Sequence, residues 1–235
     1  MDSALLKNVA FALRVFAAYA VLCVACFLML RTIVGYMSFQ DDVQFLALKQ
    51  AYIHNPVWKT AFYIHVFSAV VALLAGFTQF SKEILRDNPK LHCLIGKIYV
   101  GNILFINFPV GLIMGYYANG GLIGKAAFLT LDVLWFTFTL KAYTSVRQRR
   151  FVEHKNYMIR SYALTFSAFT LRSWKFALSN LFPAFPLPEL YLIDSWLGFV
   201  PNLAVAEILI RAKHFLSARK PSVKPSPSGQ TVPQG

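Results

Sequence analysis

The chain has 235 residues, of which 57% are hydrophobic and only 14% charged, with 22 phenylalanines and a formal net charge of +13. That balance excludes an ordinary soluble domain. It also excludes a nucleic-acid binder, because Lys and Arg gather in short blocks between apolar runs instead of covering a folded face, which is the pattern of orientation signals beside lipid headgroups.

A hydrocarbon core about 30 Å thick takes roughly 20 apolar residues per helix, and runs of that kind predict an all-α, polytopic membrane protein with a bundle of six transmembrane helices. The first run, residues 9–30, follows Lys7 but stays apolar through "AAYAVLCVAC", so it reads as a retained anchor and not a cleaved signal. Within it Cys23 and Cys26 fall one turn apart as small apolar fillers. A long connection, 31–59, separates this helix from the rest, which places it at the periphery of a core of helices two to six.

Helix two, 60–80, carries His65, Ser68, Ala72, Gly76 and Gln79 on one face. The loop "SKEILRDNPKLHCLIGK" then brings Lys82, Arg86, Lys90 and Lys97. Helix three, 98–117, holds the kinking Pro109 beside the packing residues Gly111 and Gly115. "ANGG" is a tight turn, since adjacent glycines take positive φ cheaply. Helix four, 122–146, contains Asp132, and "RQRRFVEHK" leads into helix five, 157–180, whose face runs Ser161, Thr165, Ala168, Arg172, Lys175, Ser179. "FPAFPLP" breaks the chain before helix six, 191–211. Residues 1–216 thus form one transmembrane domain, and 217–235, rich in proline and without periodicity, are expected to be a disordered cytoplasmic tail. The basic loops and the tail share one side, so both termini are expected in the cytoplasm, with the protein in the inner (plasma) membrane and anionic headgroups as partners.

Small residues and hydroxyls on helices two and five are first of all packing positions. His65, Asp132 and Arg172 are not covered by that explanation. An intramembrane charge costs roughly 2.5–3.5 kcal/mol on insertion scales and turns to the bundle interior for a partner. Helix rise puts Asp132 and Arg172 both about 12–15 Å below the outer boundary, so an ion pair is expected, with His65 joining from slightly shallower. A second cluster, Arg86, His92, Lys97, His154, Arg160 and Glu207, gathers at the cytoplasmic side. There two readings stand: an interfacial basic ring on phosphates, or a b-type haem on His92 and His154. No metal-ligand set is apparent.

The runs "HVFSAVVALLAGFTQF", "LRDNPKLHCLIGKIYV" and "HKNYMIRSYALTFSAFTLR", followed by Trp196, Asn202 and Glu207, resemble the predicted membrane protein family catalogued as domain of unknown function 2306, over about residues 62–211. The linked H-x-x-x-G-x-x-Y and H-x-x-x-M-x-R-S signatures carry the resemblance, which implies that His65, Arg86, His92, Gly96, Tyr99, His154, Met158, Arg160, Arg172 and Glu207 are pattern positions. Lys97 stands where arginine is usual. The resemblance implies no reaction. The expected function is therefore a non-enzymatic integral membrane protein whose polar interior binds or conducts a proton or small solute. A haem- or quinone-linked redox protein, and a structural subunit with a partner protein or second copy, are the alternatives.

Overall fold

The computed structural model describes residues 3–218, so the expected tail lies outside the described residues except for Ser217 and Ala218, which end the last helix. Among the described residues there are helices and no strands. In chain order they are α1 (Ser3–Tyr36), α2 (Pro56–Thr78), α3 (Lys82–Asp87), α4 (Pro89–Gly101), α5 (Phe108–Tyr116), α6 (Gly121–Arg147), α7 (Phe151–Thr165), α8 (Ser167–Leu181), α9 (Leu187–Leu197) and α10 (Val200–Ala218).

Local chemistry starts these helices where it does. Asn55 accepts from the backbone N–H groups of Val57 and Trp58, and Pro56 behind it needs no donor partner, so α2 begins there. Asn88 and Pro89 repeat the device at α4, with Asn88 accepting from Leu91 N–H. Gly120 and Gly121 take φ of +81° and +61°, the conformation that lets the chain reverse between α5 and α6.

Two expected helices are interrupted, each for a visible reason. The run Pro89–Tyr116 is continuous in space, but residues Asn102–Asn107 form a π-turn immediately before Pro109. Proline has no N–H to give and crowds the carbonyl four residues back, and the wider turn accommodates both defects. Asn102 then donates to Ser68 O at 2.7 Å and Ser68 Oγ to Asn107 Oδ1 at 3.2 Å, which fastens the π-turn to α2. The expected helix five breaks at Phe166 into α7 and α8. Ser167 Oγ donates back to Leu164 O at 2.5 Å and Thr170 Oγ1 reaches Gly198 O on the neighbouring segment, hydroxyl bonds of the kind that bend a helix.

Length and apolarity support four crossings: Pro56–Thr78, Pro89–Tyr116, Gly121–Arg147 and Pro188–Phe215. Among the described residues of α1, Cys23–Tyr36 is an apolar helical piece, and α7–α8 is split and carries Arg160, Arg172 and Lys175. The surface has the polarity of a lipid-facing one. Phe105, Leu122 and Phe176 leave 79%, 86% and 74% of their surface exposed, while Thr139, Ser161 and Asn107 are fully buried. Among the described residues α6 and α7 make the most extensive helix pair, and α1 packs chiefly against α2.

The connection between α1 and α2 folds into a cap. Leu46, Ile53 and Trp58 bury with Tyr36 and Phe62, and Lys49 is only 2% exposed. Its ammonium donates to Tyr117 O at 2.6 Å and Asn119 Oδ1 at 2.7 Å and faces the rings of Phe45, Tyr52 and Trp58. Burial, and then the charge of Lys125, push that ammonium down to about 8.

Candidate functional site

Beneath this cap the helices enclose a cavity of about 580 Å³. Tyr36 of α1, His65 of α2, Gly111 of α5, Asp132 of α6, Arg172 of α8 and Asp194 of α9 each face it, and most of the remaining wall is aliphatic or aromatic. Thus the structure brings His65, Asp132 and Arg172 to one space. Cavities of this volume, apolar with a few convergent polar groups, are the usual form of small-molecule sites.

The expected Arg172–Asp132 ion pair is not formed. Among the described residues the ion pairs are Lys59–Asp41, Arg86–Asp87, Arg150–Glu153 and Arg160–Glu207. Helix rise matched the depths of the two residues, but depth says nothing of lateral separation, and the hollow keeps α6 and α8 apart. Arg172 instead donates from Nη1 to Ala168 O at 2.6 Å on its own helix and remains exposed to the open space. Asp132, 6% exposed, rests against Gly111, and its Oδ2 has no partner. His65 Nδ1 and Asp194 Oδ1 are buried and unpartnered as well. Three residues that line one cavity thus each hold a polar atom without a partner, and each such atom costs about 1–3 kcal/mol when left bare.

Sequence reading did not assign Lys49, Lys175 or Asp194 to the site, yet all three line it. Asp194 interrupts the apolar stretch "YLIDSWLGF" and was open to the same inference as Asp132. Lys175 lies three residues beyond Arg172 on the same helical face. Lys49 gave no local signal, because its partners are 68 and 70 residues away.

The Gly111 contact yields a test. A Cβ at this position would lie 2.5 Å from Asp132 Oδ1 and 2.8 Å from its Cγ, so Gly111→Ala is expected to cost about 1–3 kcal/mol by overpacking. In an Asp132→Ala background the same change should cost almost nothing. Unfolding measurements on the single and double variants check this, and additive costs would mean that the contact does not exist.

At the basic end the six expected residues separate into three groups. Arg86 bonds its neighbour Asp87 at 2.7 Å on the surface, and Lys97 is exposed. Arg160 holds Glu207 through Nε at 2.5 Å and Nη2 at 3.0 Å, tying α7 to α10, with its guanidinium against Phe138 and Tyr157. His92 and His154 lie close enough to interact electrostatically. His154 Nδ1 is engaged with Ala142 O at 2.9 Å and His92 Nδ1 is unpartnered. The large cavity is lined by neither histidine, so the haem reading rests on the histidine pair alone.

Between the two ends runs a buried set of hydroxyls. Thr139 Oγ1 lies 2.7 Å from Ser161 Oγ, Ser161 Oγ 2.8 Å from Tyr99 Oη, and Tyr99 Oη 2.8 Å from Thr165 Oγ1. These serine and threonine side chains bond across α4, α6 and α7, beyond the close packing expected first of Ser161 and Thr165.

Residues 62–210 match the model of a family described as a predicted membrane protein (DUF2306). Neither a curated protein nor a solved structure matches the chain.

Proposed function

The chain belongs to the predicted membrane protein family DUF2306, and from that premise we propose that it is an integral membrane binding protein, without catalytic activity, whose cavity takes a small amphipathic anion. The observation that carries this reading is Arg172: a guanidinium opening into an apolar-walled hollow with no carboxylate at ion-pair distance among the described residues. A cation that faces an apolar-walled hollow without a counter-ion calls for one, and a carboxylate or phosphate fits the planar fork of arginine best. His65 and Lys175 also line the cavity as further donors, and the aromatic rings of Phe62, Phe128 and Trp135 suit an apolar body.

Six crossings complete this reading, with α1, α2, α4–α5, α6, α7–α8 and α9–α10 as the spans. The polar face of α7–α8 is turned to the hollow, which supports a crossing that apolarity alone does not register. Basic residues of the loops before α4 and α7 then lie at a cytoplasmic, anionic inner-membrane surface, as do both termini.

The binding test uses decanoate, decyl phosphate and decyltrimethylammonium, three probes with one chain and different heads, added to the purified protein in nanodiscs. Both anions should raise the melting temperature, since a ligand at 100 times its Kd contributes about 2.7 kcal/mol. The cation should not. Equal stabilisation by the cation, or none by the anions, would overturn the reading.

A further inference from the structure

The hydroxyl chain from Thr139 to Thr165 has a property that packing does not require. Each of its three links can be donated from either side. At one end Thr139 Oγ1 also reaches Trp135 O at 2.7 Å, and at the other Thr165 Oγ1 also reaches Ser161 O at 3.2 Å. Two complete settings follow. In the first, Thr165 donates to Tyr99, Tyr99 to Ser161, Ser161 to Thr139, and Thr139 to the Trp135 carbonyl. In the second every arrow reverses, and Thr165 donates to the Ser161 carbonyl. Trp135 Nε1 donates to Thr165 Oγ1 at 3.0 Å in both. No hydroxyl hydrogen is left bare in either setting.

Unsatisfied polar groups lie near each end of the chain. Thr165 and Trp135 line the same cavity as Asp132. At the other end Thr139 stands three residues before Ala142 on α6, and the Ala142 carbonyl holds His154 beside His92. Near this end Gln79 Nε2 and His92 Nδ1 are buried without partners, and Gln79 lies against Gly96, between His92 and Tyr99 on α4. The four hydroxyl residues themselves are sealed, Tyr99, Ser161 and Thr139 being 0% and Thr165 6% exposed.

We propose that the chain Thr139–Ser161–Tyr99–Thr165 is a proton relay joining the His92–His154 pair at the basic end to the cavity, where Asp132 receives the proton. A proton that reaches Thr139 Oγ1 from the histidine side finds the chain in its second setting. Thr139 passes its own hydrogen to Ser161, Ser161 to Tyr99, and Tyr99 to Thr165, whose own hydrogen leaves the Ser161 carbonyl for cavity water and so for the Asp132 carboxylate. Only O–H bonds form and break, and one proton enters as one leaves; the new Thr139 hydrogen then turns to the Trp135 carbonyl, which completes the first setting, and rotation of the hydroxyls restores the second. Asp194, Lys175, Arg172 and His65 face the same receiving space. The relay stands independently of the anion reading.

The experiment is proton flux into proteoliposomes that hold a pH-sensitive dye, driven by a potassium diffusion potential with valinomycin. The native protein should acidify the lumen clearly faster than protein-free vesicles. Thr139→Val, which keeps the shape and removes the hydroxyl, should slow the flux at least about tenfold, as should Tyr99→Phe, whereas Thr139→Ser should retain it. Tyr143→Phe, on the exposed side of α6, serves as the unaffected control. Thr139→Ser and Thr139→Val both leave a small side chain at a buried site, and melting curves establish that each is folded. Flux no faster than in empty vesicles, or native flux in Thr139→Val, overturns the relay. Anion binding measured on the same preparations reports separately, so either proposal fails without the other.

Discussion

Replacing Arg172 by methionine is expected to stabilise the empty protein by about 1–3 kcal/mol and to weaken an amphipathic carboxylate about 10- to 100-fold. The two effects have opposite signs because they act on different states. In the empty cavity the guanidinium has one carbonyl acceptor, Ala168 O, and no anion, so an apolar side chain of similar length relieves an intramembrane charge. With decanoate bound, the same guanidinium makes charge-assisted hydrogen bonds that methionine cannot supply. Melting of the empty protein in nanodiscs and a binding titration on the same samples measure the pair. An empty-state loss of stability would place a hidden partner on Arg172, and unchanged affinity would remove the arginine from the site.

Arg160→Met is expected to act in the opposite direction, costing about 2–3 kcal/mol. It strands the Glu207 carboxylate between α7 and α10 and removes a guanidinium that lies 5.3 Å from the Tyr157 ring and 5.9 Å from that of Phe138. The pair is partly open, with side-chain exposures of 20% and 39%, so the cost falls below that of a fully buried pair. Arg160→Met with Glu207→Gln should recover most of the loss, because no charge is then left unpaired. Unfolding of the three variants decides the matter, and a double variant as unstable as the single one would show that Arg160 acts through something other than Glu207. Recovery would identify this part of the basic end as a clamp between helices.

Membrane class was legible from composition, since no arrangement of so many exposed phenylalanines and leucines suits water. Pro109 and the paired glycines 120 and 121 marked a distortion and a reversal that the structure contains. His65, Asp132 and Arg172 could be gathered from periodicity and depth, because these follow from a fixed rise and turn per residue. That the last two form no ion pair was not legible, since the width of a hollow depends on how the surrounding helices lean together. Lys49 illustrates the same limit. A lysine in a polar loop has no reason to be buried until the rings of Tyr52 and Trp58 and the carbonyl of Tyr117 surround it. The break at Phe166 likewise depends on Thr170 meeting Gly198 from another part of the chain.

The two settings of the hydroxyl chain carry opposite dipoles, and the membrane potential distinguishes between them. From Ser161 to Thr165 the chain climbs about 6 Å of α7, roughly a fifth of a 30 Å hydrocarbon core. Turning the hydroxyls moves less than one unit of charge over that fraction, so the effect is at most about 0.5 kcal/mol at 100 mV. That is below thermal energy, so an energised membrane would tilt the balance of the two orders by less than about twofold without locking either, and the direction of the field would decide which order is favoured at rest.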